Sequence, residues 1–376
     1  MKKKLTPYLK TVLILSAITI VLALPALSPR LCDSYTDNVY PVLRDVISHI
    51  TALFPFAVGE ILMYLGILAV LAAAVMLFLF IFLREKSGYR RFLLFYFKAI
   101  SIALLVLVLL YMPTWFVPFC GTVLGEGDRE LRTEFSYEEI VGFLAYAAEN
   151  GNAAAEEIEI GEDGRVSFHS AKENTALAAK AMSELSGEYG RLSGYYPPVK
   201  EAICSDILDR MEIGGYNYPF TMEPTHNRYM SPLYQPLLDA HELAHHMGYY
   251  KENEANFLSE LALSRSEDPY LRLSAYMRMH SYVADAYMEA CFQNDAEPGE
   301  LPGFSKRAMK IYKAGLAAEQ EIYEADTHVI DEIPAADEAI RDAADRGWDI
   351  QGEILKENSY DGVVLLLLQY YYCSGE

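Results

Sequence analysis

The sequence predicts an α+β fold that is mainly α, with three membrane-spanning helices in residues 1–120 and a larger water-facing domain in residues 121–376. Three observations predict it. Long uncharged apolar runs are confined to the first third of the chain, and helical periodicity dominates the remaining two thirds. Charge also divides at Gly121, with 11 Lys and Arg against 5 Asp and Glu before it, and 20 against 47 from it onward, a net of −27. Apolar runs belong in lipid and ionised carboxylates in water. An acidic domain repels phosphate backbones, which argues against nucleic acid as a partner.

The three spans are Thr11–Leu27, Ile61–Leu83 and Ala99–Cys120, uncharged stretches of 17, 23 and 22 residues. About 20 apolar residues cross a bilayer as a helix. The first run also has the length of a signal peptide, with Leu24–Ser28 as a cleavage region. It lacks a clean small-x-small site and two more spans follow, so it reads as an uncleaved anchor. Basic residues set the orientation. Four precede the first span and five lie in Arg84–Lys98, whereas Ser28–Glu60 has only Arg30 and Arg44. The amino terminus is therefore expected in the cytoplasm and the acidic domain outside a bacterial cytoplasmic membrane, with the lipid bilayer as one partner.

Between the first two spans, Tyr40–Phe56 reads as an amphipathic helix closed by Pro55, with Val42, Leu43, Val46, Ile47, Ile50 and Leu53 at helical spacing. It is expected to lie along the membrane face, to pack on the outer domain, or to serve as a plain connector. Gly121–Arg132 reads as a linker. Ser136–Glu139 opens a helix with a capping box that runs to about Asn150. Gly151–Val166 reads as a loop with a turn at Glu162–Gly164, and Ala171–Tyr189 as a helix. Val199–Met211 can be helical, and Gly214–Thr225 reads as one extended strand. Helices are then expected at Leu237–Met247, Glu252–Leu263, Leu271–Phe292, Ser305–Tyr323 and about Ala335–Lys356. Val363–Leu368 is too short to span a bilayer and reads as part of a buried terminal helix. Five scattered cysteines contain no CxxC pair, which leaves a sulfur-ligated zinc site unsupported.

One constellation has sharp chemical meaning, His241-Glu242-Leu243-Ala244-His245. On a helix, residues i and i+4 share a face, so both imidazoles can reach one metal ion. Glu242 is then placed to take a proton from water activated by zinc. A catalytic zinc site has three protein ligands and an open fourth position. Gly248 lets the chain turn, and Glu252 and Glu254 then compete for the third place. Lying two apart, they cannot both face the metal. Glu252 is preferred, because Asn256 shares its face and could hydrogen-bond a ligand imidazole. His246 points away from the His241–His245 face. Tyr216–Glu223 reads either as an edge strand for an extended peptide or as an ordinary core strand. Tyr218, His226, His280 and Tyr282 are candidate oxyanion donors.

Glu252-x-x-Ala255-Asn256 resembles the Glu-x-x-Ala-Asp/Asn element that follows HExxH in gluzincin peptidases. That resemblance implies a zincin-like domain, with Glu252 as third zinc ligand and Asn256 supporting a histidine. The departure is spacing, because only six residues separate His245 from Glu252. The whole chain resembles a family of bacterial membrane proteins, the domain-of-unknown-function family numbered 3810. The matching features are the three spans, Pro55–Glu60, Pro219–Glu223, His241–His245 and Glu252–Phe257.

The expected function is that of a membrane-anchored zinc metallopeptidase acting on a peptide or protein outside the membrane. The alternative is a non-catalytic membrane protein whose outer domain binds a partner around a structural or vestigial metal site. Glu242 separates the two, since a structural site needs ligands but no general base. An intramembrane protease is disfavoured by the distance in sequence between HExxH and any span.

Overall fold

The computed structural model describes residues 5–124, 132–328, 335, 337–342, 344, 346 and 359–373. The described residues are 71% helix and 4% strand, with three apolar helices at the amino-terminal end. Most of the expected helix Ala335–Lys356 and the middle of the Gly121–Arg132 linker lie outside the described residues. The chain forms two compact units. The first is Met1–Thr122 together with Tyr218–Glu223, and the second is Val123–Asn217 with Pro224–Glu376.

In the first unit, α1 (Pro7–Ala23) starts at Thr6, whose hydroxyl accepts the Leu9 N–H, and a 3₁₀ turn carries it to Leu27. Two short helices follow, α2 (Pro29–Asn38) and α3 (Tyr40–Thr51). The long helices are α4 (Val58–Leu83) and α5 (Ser87–Tyr111). α5 continues through a π turn at Met112–Phe116 and a last turn at Val117–Phe119, where Pro113 and Pro118 each remove a backbone donor. The segments Pro7–Leu27, Val58–Leu83 and Ser87–Phe119 are long and apolar enough to cross a membrane. The basic stretch expected as a loop contracts to a turn at Arg84–Lys86 before α5 begins. Basic heads near a helix end can reach past the apolar zone on flexible stems, so counting uncharged residues underestimates the helix. α1 packs on α5, with Tyr8 and Ser101 hydroxyls 2.8 Å apart.

The segment Tyr218–Glu223 is part of this unit for specific reasons. The Glu223 carboxylate accepts the backbone N–H groups of Val58 (3.0 Å) and Gly59 (2.8 Å) at the start of α4. There it satisfies orphan donors and complements the helix dipole. Gly59 is required, because a Cβ would lie 2.4 Å from the Tyr218 ring.

The second unit is helical around a small sheet. Its first helix, α6, spans Tyr137–Glu157 with a complete Ser136/Glu139 capping box. It outruns the expected end at Asn150 because Gly151 continues it, packed where a Cβ would meet the Phe304 ring at 2.7 Å. α7 (Ala171–Glu184) has a second capping box, Ser170/Glu173, and ends in a 3₁₀ turn short of Tyr189. Val199–Met211 is not one helix. It divides into β1 (Lys200–Glu201) and α8 (Ser205–Arg210), because β1 pairs in parallel with the strand at Glu223–His226. The expected single strand Gly214–Thr225 is two, β2 (Gly215–Tyr218) and β3 (Glu223–His226), with Met222 at positive φ between them. The sheet order is β1-β3-β2, which leaves β2 at an edge. Further helices of the unit are α9 (Gln235–His246), α10 (Glu252–Ser264), α11 (Pro269–Gln293), α12 (Lys306–Glu324) and α13 (Ser359–Cys373). α9 packs on α7 and α10, and α10 on α11 and α13. Leu243, Ala244, Leu258 and Val363 are buried there.

Candidate metal centre

The centre is assembled by a helix end, a turn and a helix start. α9 carries His241 and His245 on one face, their rings 4.6 Å apart and nearly perpendicular. The helix ends in a Schellman turn, with Tyr249 N–H bonded to the Ala244 carbonyl at 3.0 Å and Gly248 N–H to the His245 carbonyl at 3.0 Å. Gly248 has φ +102°, a conformation glycine adopts without penalty. The turn swings the Tyr249 carbonyl back to accept His245 Nδ1–H at 2.8 Å. That bond fixes the ring and leaves Nε2 as the free coordinating atom whenever His245 is neutral. Tyr250 stacks on the His245 ring, with 6.1 Å between centroids and 15° between planes.

The chain then extends through Lys251 into α10, placing Glu252 at the first helical position. One Glu252 oxygen lies 3.2 Å from His241 Nε2 and the other 3.6 Å from His245 Nε2. The three residues each offer a ligand atom, all within 4.8 Å of one another. Ligand atoms about 2.1 Å from one tetrahedral ion are about 3.4 Å apart, so the donor set fits zinc. The same separations describe an ion pair when an imidazole is protonated. Burial works against charge on His245, yet the Glu252 carboxylate holds its pKa up to about 9. Glu252 is correspondingly held far below the usual carboxylate range by the two imidazoles, against the effect of burial.

Glu254 is elsewhere. It is buried, accepts the Leu124 N–H, and is pushed up to about 7 by burial. It is not among the converging ligand atoms. Glu242 is buried with its Oε2 lacking a hydrogen-bond partner among the described residues. Burial pushes it up to about 7, against the pull of His241 and His245. An unsatisfied buried carboxylate oxygen is costly in a purely structural role. Its other oxygen and Cγ lie under Gly215 of β2, where a Cβ would sit 3.1 and 3.2 Å from them and 2.5 Å from the Thr225 carbonyl.

The expected bond from Asn256 to an imidazole does not form. Its backbone carbonyl accepts from Ser259, and its side chain makes no hydrogen bond among the described residues. The Tyr249 carbonyl holds His245 instead. His226 of β3 donates Nδ1–H to Asp239 Oδ1 at 2.7 Å, and Asp239 also accepts from Thr175 and Gln235. Asp239 lies on α9, so this buried network ties β3 to the helix bearing both histidines. Burial depresses the His226 pKa, but Asp239 outweighs it and the net shift is upward. His280 donates to the Pro302 carbonyl at 2.6 Å and is a packed histidine, and His246 is fully buried. Tyr282 stacks under Arg278, and Tyr218 belongs to the first unit.

No sequence pattern marks Tyr249, which acts through its backbone. Gly248, at the end of the predicted helix, was the available clue. Gly215 and Asp239 meet Glu242 and His226 only through tertiary contacts and left no local trace.

No curated protein and no solved structure matches the chain. Residues 35–327 match the family described as "Protein of unknown function (DUF3810)". That match covers well over half of the sequence and includes both the second and third spans and the whole histidine–glutamate cluster, so the chain belongs to this family.

Proposed function

We propose that the chain is a membrane-anchored zinc metallopeptidase that hydrolyses a peptide or protein outside a bacterial cytoplasmic membrane. The observation that carries the reading is the convergence of His241, His245 and Glu252 on a volume fit for one ion, with Glu242 beside it. Zinc held there would supply Lewis acidity, activating a water and polarising the scissile carbonyl. His241 and His245 bind through Nε2, and the Tyr249 carbonyl keeps the second ring oriented. Glu242, poised near neutrality by burial, suits both parts of the proton work. It takes a proton from the attacking water and returns it to the leaving amine. β2 is an edge strand whose Gly215 lies over Glu242, which supports an extended substrate pairing along it. The basic residues preceding the first and third spans support the orientation.

The test is a broad peptide library presented to full-length protein in lipid nanodiscs. Wild type should cleave, and Glu242→Gln should retain metal while losing at least about a hundredfold in rate, as removal of a general base does. Metal binding with indistinguishable wild-type and Glu242→Gln behaviour would leave the structural-site alternative standing.

A further inference from the structure

Helix α3 is built inside out. Tyr40, Arg44 and Ser48 are 0% exposed and Thr51 7%, whereas Val42, Val46 and Ile50 are 66%, 58% and 57% exposed. Leu53, just beyond the helix, is 80% exposed. At about 100° per residue, the three exposed aliphatics fall within about 80° of one another, with the buried set on the far side. Water drives the opposite arrangement, hiding valine and isoleucine before arginine and serine.

The polar face is held in place by partners. Ser48 Oγ donates to the Arg44 carbonyl at 2.8 Å, Thr51 Oγ1 to the Thr221 carbonyl at 3.0 Å, and Arg44 Nε to Asp45 at 2.8 Å. Tyr40 donates to the Met222 sulfur at 3.8 Å. One polar side chain, His49, borders the apolar stripe, and its Nδ1–H is bonded to the Asp45 carbonyl of its own helix at 2.7 Å. The rotation of α3 is therefore set by its buried side, and the outward face requires an apolar surrounding.

Connectivity says which one. Ser28 alone separates the turn ending α1 from α2, Val39 alone separates α2 from α3, and residues 52–57 lead into α4. Six residues reach about 20 Å at most, so α3 cannot leave the bilayer surface from which α4 departs. The stripe is continuous in kind with the flanking spans, whose apolar windows are likewise uncovered.

We propose that α3 lies in the plane of the membrane, with Val42, Val46, Ile50 and Leu53 inserted among lipid acyl chains at the headgroup boundary. It is a monotopic foot between the first two spans and is independent of the metal chemistry. The experiment is spin labelling of Val42→Cys, Val46→Cys and Ile50→Cys, one at a time. The host is full-length protein with Cys120 and Cys373 replaced by serine, in phosphatidylcholine nanodiscs. Collision with oxygen and with a water-soluble nickel chelate is then compared. All three labels should favour oxygen several-fold over Glu162→Cys in an exposed loop of the second unit, and approach Val75→Cys in a span. Labels as open to nickel as Glu162→Cys would overturn the proposal, as would labels shielded from both reagents, which would mean that protein covers the stripe. Photocrosslinking of the wild-type chain by a diazirine-bearing lipid, mapped by mass spectrometry, should mark residues 42–53. Their absence among marked peptides would equally contradict it.

Discussion

His245 and Glu252 are the residues that the proposed metal would change most. In the absence of metal, Glu252 holds the His245 pKa up to about 9, although burial opposes the charge. A metal must displace that proton to bind Nε2. Affinity should therefore rise about tenfold per pH unit from neutrality toward pH 9, one proton leaving per ion bound. Calorimetry in buffers of different ionisation enthalpy reads that number directly, and a buffer-independent enthalpy would contradict it. Glu254 behaves oppositely. Burial raises its pKa from 4.5 to about 7, so folding favours its neutral form. Its contribution is complete below about pH 4.5 and lost as pH rises through about 7, at most ~3 kcal/mol at ~1.4 kcal/mol per pKa unit. In Glu254→Gln, stability should lose much of its fall between pH 5 and 8 while metal affinity stays within a few-fold. Loss of metal from that variant would return Glu254 to the ligand set. At this scale the geometry of the candidate site was largely legible in the sequence. His241, Glu242 and His245 are related by helix geometry alone, and Glu252 opens the next helix after one glycine turn. The bond read for Asn256 is absent from the structure, and a backbone carbonyl, invisible to residue type, holds His245 instead.

Strand β2 and helix α9 are the elements that hold Glu242 between them. Gly215 leaves no room for a methyl group, because a Cβ would meet the Thr225 carbonyl at 2.5 Å. Gly215→Ala should lower Tm by several degrees and reduce turnover far more than metal content, since the strand must lift away from Glu242 while the three ligands are untouched. Metal loss in proportion to activity would refute that division of labour. In α9, Leu243→Ala removes a fully buried side chain beside the site and should destabilise the fold by about 2–5 kcal/mol in chemical denaturation. The start of α6 was legible, because the Ser136/Glu139 capping box is a local signal. The strand at Lys200–Glu201 and the extension of α6 through Gly151 were not, because distant partners decide them: β3 in one case, Phe304 and Tyr276 in the other.

The molecule as a whole divides less simply than its charge does. The apolar and acidic parts meet near Gly121 in sequence, yet Tyr218–Glu223, deep in the acidic part, belongs to the apolar unit. A fragment starting at Val123 strips Glu223 of its Val58 and Gly59 donors and Met222 of Tyr40. It should melt below the full chain and bind metal more weakly, because the freed residues connect β2 to β3. Equal melting temperatures and affinities would show the two units to be separable. The central claim is that three side chains hold one ion, and metal content tests it most directly. Elemental analysis of full-length protein purified in zinc-containing buffer and then desalted should find one zinc per chain in wild type and Glu242→Gln. It should find almost none in His241→Ala, His245→Ala or Glu252→Ala, each shown to be folded by circular dichroism. No zinc in wild type, or unchanged zinc in the ligand variants, would contradict the account.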